Sequence, residues 1–144
     1  MQPIREGARR YGSSYKDSSA KRAVASIFAK GIIRTNYALP AGPYKQSYYG
    51  RGLVQITWHT NYKKFAELLG VDLEKNPDLA LEWDIALDIL FLGMRDGLFT
   101  GKAMNDYNFP SQFYNARAIV NGDTKKNGKA IANEANAFLK ALKS

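Results

Sequence analysis

The residues of this sequence with the best prospect of doing chemistry are carboxylates, side-chain amides, hydroxyls and aromatic rings. Its only histidine is His59, and it contains no cysteine. That removes disulfides, thiolate metal sites and a cysteine nucleophile. No His, Asp and Glu cluster has metal-ligand spacing, and no nucleophile elbow accompanies His59 for a Ser-His-Asp arrangement. Phosphate-binding loops and dinucleotide fingerprints are missing too, since Gly50-Arg51-Gly52 by itself is too short. Neither metal nor organic cofactor is expected.

Among the carboxylates, Glu67, Glu74, Glu82 and Glu134 lie on or beside amphipathic helical patterns among other charges and read as solvated. Glu6 differs. It sits in irregular chain between Arg5 and Gly7. A neighbouring arginine favours the ionised carboxylate, which suits a general base. The middle of the chain is richer. Tyr48-Tyr49-Gly50-Arg51-Gly52 leads into Gln55-Ile56-Thr57-Trp58 and then Asn61-Tyr62. Gln55, Thr57 and Asn61 offer amide and hydroxyl groups to sugar hydroxyls. Tyr49, Trp58 and Tyr62 offer flat faces for sugar rings. The two glycines would let backbone approach a ligand closely. The same chemistry could bind peptide or single-stranded nucleic acid, and the aromatic residues could instead fill the core.

The elements that position these groups are mostly helical. Asp17-Ser18-Ser19 supplies N-cap candidates for a helix through about Lys30, with Val24, Ile27 and Phe28 at helical spacing and Gly31 as a cap. Residues 35–48 carry Pro40, Gly42 and Pro43 and read as a loop. Leu53 to Thr57 is a short strand or extended segment, followed by a helix from about His59 to Leu69 that Gly70 ends. Asn76-Pro77-Asp78 forms a turn or helix start. A helix over about 80–97 is apolar all round and is expected to be central and mostly buried. Further helices run from Pro110 to about Val120 and from about Asn127 to Leu142. In the last, Ile131, Ala135, Phe138, Leu139 and Leu142 make a one-sided core face.

At 144 residues, 45% hydrophobic and 24% charged, the chain suits a single globular domain, 1–144. The longest apolar run, Ile85 to Met94, is interrupted by Asp88 and is too short to span a bilayer, so no stable membrane insertion is expected. The N-terminus shows no apolar signal region. A net charge of +8 favours an anionic partner. The basic residues are scattered rather than clustered, which argues against a nucleic-acid partner.

Several ordered blocks resemble the signature of family 19 glycoside hydrolases, the chitinases and their phage endolysin relatives. These are Tyr49 to Trp58 with Asn61-Tyr62, then Gly70-Val71-Asp72-Leu73, then Asn76-Pro77-Asp78-Leu79-Ala80, and later Ile119-Val120-Asn121-Gly122. The opening Met1 to Glu6 resembles the segment that follows the family's His-Glu-Thr helix. The similarity covers about residues 1–8 and 44–142.

The resemblance implies a mainly α, lysozyme-like, two-lobed domain with a central cleft and little or no β-structure. It implies inverting hydrolysis of β-1,4 links between N-acetylhexosamines in chitin or peptidoglycan, with one carboxylic acid protonating the leaving oxygen and a second carboxylate activating water. On this reading Glu6 is the base and Thr57 helps hold the water. Gln55, Asn61 and Asn121 bind sugar, and Arg51 supports the loop or the cleft carboxylate. The family's acid, the glutamate of His-Glu-Thr, has no counterpart here, and an N-terminally truncated, monomeric domain is expected. An endolysin would be made in a host cytoplasm and act on the wall. The alternative is a wall-polysaccharide-binding module without the acid.

Overall fold

The computed structural model describes residues 17–144. Glu6 and the expected N-terminal loop lie outside the described residues. The chain divides into two compact units, the first ending at Ile89 and the second running Leu90–Ser144.

In the first unit, α1 spans Asp17–Ala29. Ala20 and Val24, one turn apart on its inner face, pack with Tyr49, and Ile33, Tyr37 and Ala38 close over that cluster. Phe28, at the end of the same stripe, is exposed. The expected loop over 35–48 contains a small hairpin, β1 (Pro40–Ala41) paired antiparallel with β2 (Gln46–Ser47) in the register Pro40↔Ser47 and Ala41↔Gln46. The Ser47 hydroxyl donates to the Ala38 carbonyl at 2.7 Å and pins the second strand. Two-residue strands carry no alternation, so periodicity could not announce them.

The expected extended segment over 53–57 is instead a tight loop. It is closed by a lone antiparallel bridge, with the Arg51 amide donating to the Ile56 carbonyl at 3.3 Å and the reverse bond at 3.1 Å. Helix α2 runs His59–Leu69, buries Tyr62 and Phe65 one turn apart, and ends on Gly70 in the left-handed conformation. A 3₁₀ turn at Pro77–Leu81 follows and buries Pro77 and Ala80.

Helix α3 spans Trp83–Arg95. Ala86 and Ile89 are buried, but Trp83, Leu87 and Phe91 are exposed. The helix is therefore one-sided rather than mostly buried; its all-round apolar composition overstated how much of it is covered.

In the second unit a short helix, α4 (Phe113–Ala116), continues into a 3₁₀ turn, Arg117–Ile119, and together these replace the longer helix expected from Pro110. The Thr100 hydroxyl donates to the carbonyls of Ala118 and Ile119 at 2.6 and 3.1 Å, which fixes this turn over the buried Ile119. Helix α5 (Thr124–Lys143) packs on both. At its start Asp123 accepts from Arg117 Nε at 2.7 Å and from Asn127. Those two hydrogen bonds, the Arg117 one first, hold the Asp123 carboxyl below its ordinary value. Their contribution is thus present above the unfolded carboxylate pKa and is lost as pH falls through the lower folded value.

The described residues are mainly α, with a two-residue strand pair as their β-structure, and so fall in the mainly helical, lysozyme-like class. Among them no helix is long and apolar enough to cross a membrane.

Candidate functional site

The loop between β2 and α2 is built around one buried guanidinium. Arg51 is 2% exposed and stacks 3.7 Å above the Tyr49 ring centroid. Its Nη1 donates to the Ser47 carbonyl at 2.8 Å, to the Tyr49 carbonyl at 3.3 Å and to the Tyr62 hydroxyl at 3.2 Å. Its Nε donates to Asp78 Oδ1 at 2.7 Å. A planar fork with five donors suits this division of labour, which a lysine could not reproduce. The Tyr62 hydroxyl in turn donates to the Tyr49 carbonyl at 2.7 Å. Strand end, loop, helix α2 and the Pro77–Leu81 turn are thereby fastened to one side chain.

Three of the residues expected to meet a ligand belong to this scaffold. Tyr49 and Tyr62 are 1% and 0% exposed, so neither offers a face to a sugar ring. Their rings fill the core, and the Tyr49 carbonyl and the Tyr62 hydroxyl are used internally. Arg51 is equally buried, and its hydrogen bonds fasten the loop. The glycines approach protein rather than ligand. Gly52 has a φ of +76°, and a Cβ there would stand 2.8 Å from the Ala80 carbonyl oxygen. Only a residue without a side chain lets the loop turn against the 3₁₀ turn this way. Replacing Tyr62 with Phe is expected to cost about 1–2 kcal/mol by removing a buried donor and acceptor, seen as a lower urea midpoint of tryptophan fluorescence.

The remaining residues of this segment are less covered. Thr57 is half-buried, and its hydroxyl makes no hydrogen bond among the described residues. Its carbonyl accepts from Asn61 Nδ2 at 2.8 Å, which orients the half-buried Asn61 amide. Gln55, at a φ of +55°, donates from Nε2 to the Gly52 carbonyl at 2.8 Å. Its amide therefore closes the loop as well as remaining half-exposed.

Trp58 is 47% exposed, has a φ of +72° and stands edge-on to Tyr37 with ring centroids 4.9 Å apart. Its amide donates to the Tyr48 carbonyl, and its own carbonyl accepts from the first amides of α2.

Two neighbours were not expected to matter. Glu74, read as solvated, faces His59, with Oε1 2.5 Å from Nε2, and both side chains are mostly covered. The Tyr48 hydroxyl donates to the Glu74 carbonyl at 2.6 Å. Burial, then the charge of Glu74, raises the Tyr48 phenol above its ordinary value, so it stays a donor. A Cβ on Gly42 would stand 2.6 Å from the His59 ring. Gly42, Tyr48 and Glu74 thus wedge His59 at the start of α2, immediately after Thr57 and Trp58. No local spacing signalled the pairings of Arg51 with Asp78 or His59 with Glu74. Only the turn residues between them hinted that the chain doubles back.

Asn121 belongs to the second unit. It is exposed, and its amide donates to the Arg117 carbonyl at 3.1 Å. Among the described residues no group of three or more His, Cys, Asp and Glu could hold a metal ion.

The loop, its arginine and the turn carrying Asp78 fall inside one stretch that known proteins share. Residues 35–91 match the family model for glycoside hydrolase family 19, chitinase class I. An endochitinase of Arabidopsis thaliana is 35% identical over 83 residues, 46% of this chain and 30% of its own length. Chitinase 11 of Oryza sativa subsp. japonica is 39% identical over 77 residues, 52% of this chain and 29% of its own. An inactive chitinase-like protein 1 of Hevea brasiliensis is 50% identical over 42 residues, 29% of this chain and 13% of its own. The chain spans about three-tenths of the length of the first two relatives. No solved structure matches. The chitinase-like region therefore coincides with the arginine-centred scaffold and the polar surface it carries, and both extend family 19 likeness to this chain at the level of that region.

Proposed function

We propose that this chain acts as a glycoside hydrolase on β-1,4-linked N-acetylhexosamines. The observation that carries the reading is the coincidence just described: the chitinase-like region is also where half-buried Thr57 and Asn61 and the exposed Trp58 follow a buried scaffold. In the proposed inverting reaction Glu6 removes a proton from water while Thr57 holds that water by its hydroxyl. The water oxygen bonds to the anomeric carbon as the bond to the leaving oxygen breaks, and with no His-Glu-Thr acid in the 144 residues the leaving oxygen takes its proton from solvent water. Asn61 and Gln55 bind sugar hydroxyls or N-acetyl groups, and Trp58 covers an apolar ring face. The net charge of +8 supports an anionic wall polymer, hence peptidoglycan and an endolysin-type role beside chitin, acting as a monomer.

A second reading has its own support. His59 is followed by Thr60, so no His-Glu-Thr run occurs in the 144 residues, and the matched segment is also found in the Hevea protein named inactive. On that reading the loop binds wall polysaccharide without cutting it.

The deciding experiment incubates the protein with N-acetylglucosamine hexamer and with purified peptidoglycan, following new reducing ends, beside calorimetric titration of the hexamer. Binding with slow turnover is the expected result, since a reaction without a positioned general acid forgoes about 10²- to 10⁴-fold. Thr57→Val should lower kcat roughly tenfold, the value of one lost hydrogen bond in the transition state. Binding without turnover selects the module, and neither binding nor turnover rejects both readings.

A further inference from the structure

The expected core face of α5 is not in a core. Its N-terminal half is seated: Gly128 is buried, and a Cβ there would lie 3.0 Å from the Tyr114 carbonyl. Beyond that point the helix carries Ile131, Phe138 and Leu142, which helical geometry places within about 40° of one another. Phe138 is 71% exposed and Leu142 85%, with Ile131 exposed as well. Ala135 and Leu139, half-buried, widen the same stripe. The polar side of Thr124–Lys143 holds Lys125, Lys126, Lys129, Lys140 and Lys143 against a single acid, Glu134.

We infer that α5 is a peripheral lipid-binding helix whose Ile131–Phe138–Leu142 stripe enters the headgroup boundary of an anionic phospholipid bilayer. An apolar stripe beside a lysine-rich face, with low mean hydropathy, is the pattern that lies in a bilayer interface rather than across it. Lysine at the last turn also complements the helix dipole, but that does not explain a phenylalanine and a leucine left in water beside it. Five lysines select the occupant. Anionic headgroups neutralise them, and their aliphatic stems can lie along the apolar boundary while the ammonium groups stay at the headgroups. A second copy joined through the stripe would leave the five lysines unneutralised on its outer faces, whereas an anionic surface neutralises them. The binding is independent of any chemistry at Thr57, so success or failure of the polysaccharide reading leaves it untouched.

The test is co-sedimentation of the full chain with vesicles of phosphatidylethanolamine and phosphatidylglycerol, and with phosphatidylcholine vesicles. Binding is expected to the first, weakened by salt, and not to the second. Phe138→Glu with Leu142→Glu should weaken it at least about tenfold, since two apolar side chains no longer leave water. Both positions are exposed, so circular dichroism of the variant should match the parent. Lys140→Gln with Lys143→Gln should weaken binding and flatten the salt dependence. Absence of sedimentation with anionic vesicles overturns the inference. Undiminished binding by the Phe138/Leu142 variant also does, since simple charge attraction would then suffice. A parent that is dimeric by light scattering, and that the same variant makes monomeric, overturns it in favour of a second copy.

Discussion

Arg51→Met is expected to destabilise the first unit by about 3 kcal/mol, measured as a lower urea midpoint of tryptophan fluorescence. Both tryptophans, Trp58 and Trp83, lie in that unit. The ion pair with Asp78 is the lesser part of this figure. The Asp78 side chain is 53% exposed, and a carboxylate so placed recovers water when its partner is removed. The greater part comes from the Ser47 carbonyl, which loses its donor where water does not replace it, at about 1–3 kcal/mol for a buried group left unmet, and from the lost stacking on Tyr49; the Tyr62 hydroxyl keeps its bond to the Tyr49 carbonyl. Asp78→Asn should therefore cost under about 1 kcal/mol, and Arg51→Lys should recover little, because one ammonium cannot span these acceptors. Equal losses for Arg51→Met and Asp78→Asn would mean that the ion pair, not the buried carbonyls, holds the loop. Domain stabilities are about 5–15 kcal/mol, so the Arg51 loss is large enough to unfasten the segment that carries Thr57 and Asn61.

What the sequence could and could not disclose follows from the range of each interaction. Helices α1 and α2 and the stop at Gly70 are local matters of apolar spacing and a left-handed cap, and they lie where spacing puts them. The Arg51–Asp78 contact joins residues 27 positions apart, and no local pattern encodes it. Residue type also does not tell a ring that faces a ligand from one that fills a core. Tyr49, Tyr62 and Trp58 are equivalent as a list of aromatics, yet two are buried and one is exposed. The burial of the two tyrosines follows from the guanidinium between them, so it becomes legible only once the loop has folded. The α5 stripe makes the complementary point. Periodicity located the apolar face, Ile131, Phe138 and Leu142, but a face implies a core only if something is packed against it.

Glu6→Gln is expected to lower turnover on N-acetylglucosamine hexamer by about 10²- to 10⁴-fold, the usual contribution of a positioned acid or base. The amide is close in size to the carboxylate but cannot accept the proton that the attacking water gives up. Binding of the hexamer should change far less, because the sugar contacts proposed for Asn61, Gln55 and Trp58 remain. The separation of the two effects distinguishes a base from a residue that merely shapes the site: a shaping role would raise KM and leave kcat nearly unchanged. Thr57→Val supplies the second axis. If Glu6 takes a proton from a water that Thr57 holds, the double variant Glu6→Gln, Thr57→Val should be scarcely slower than Glu6→Gln, because the hydroxyl positions a water that no longer has a base. Two fully additive losses would place Glu6 and Thr57 in separate steps, and a Glu6→Gln protein as fast as the parent would remove Glu6 from the reaction.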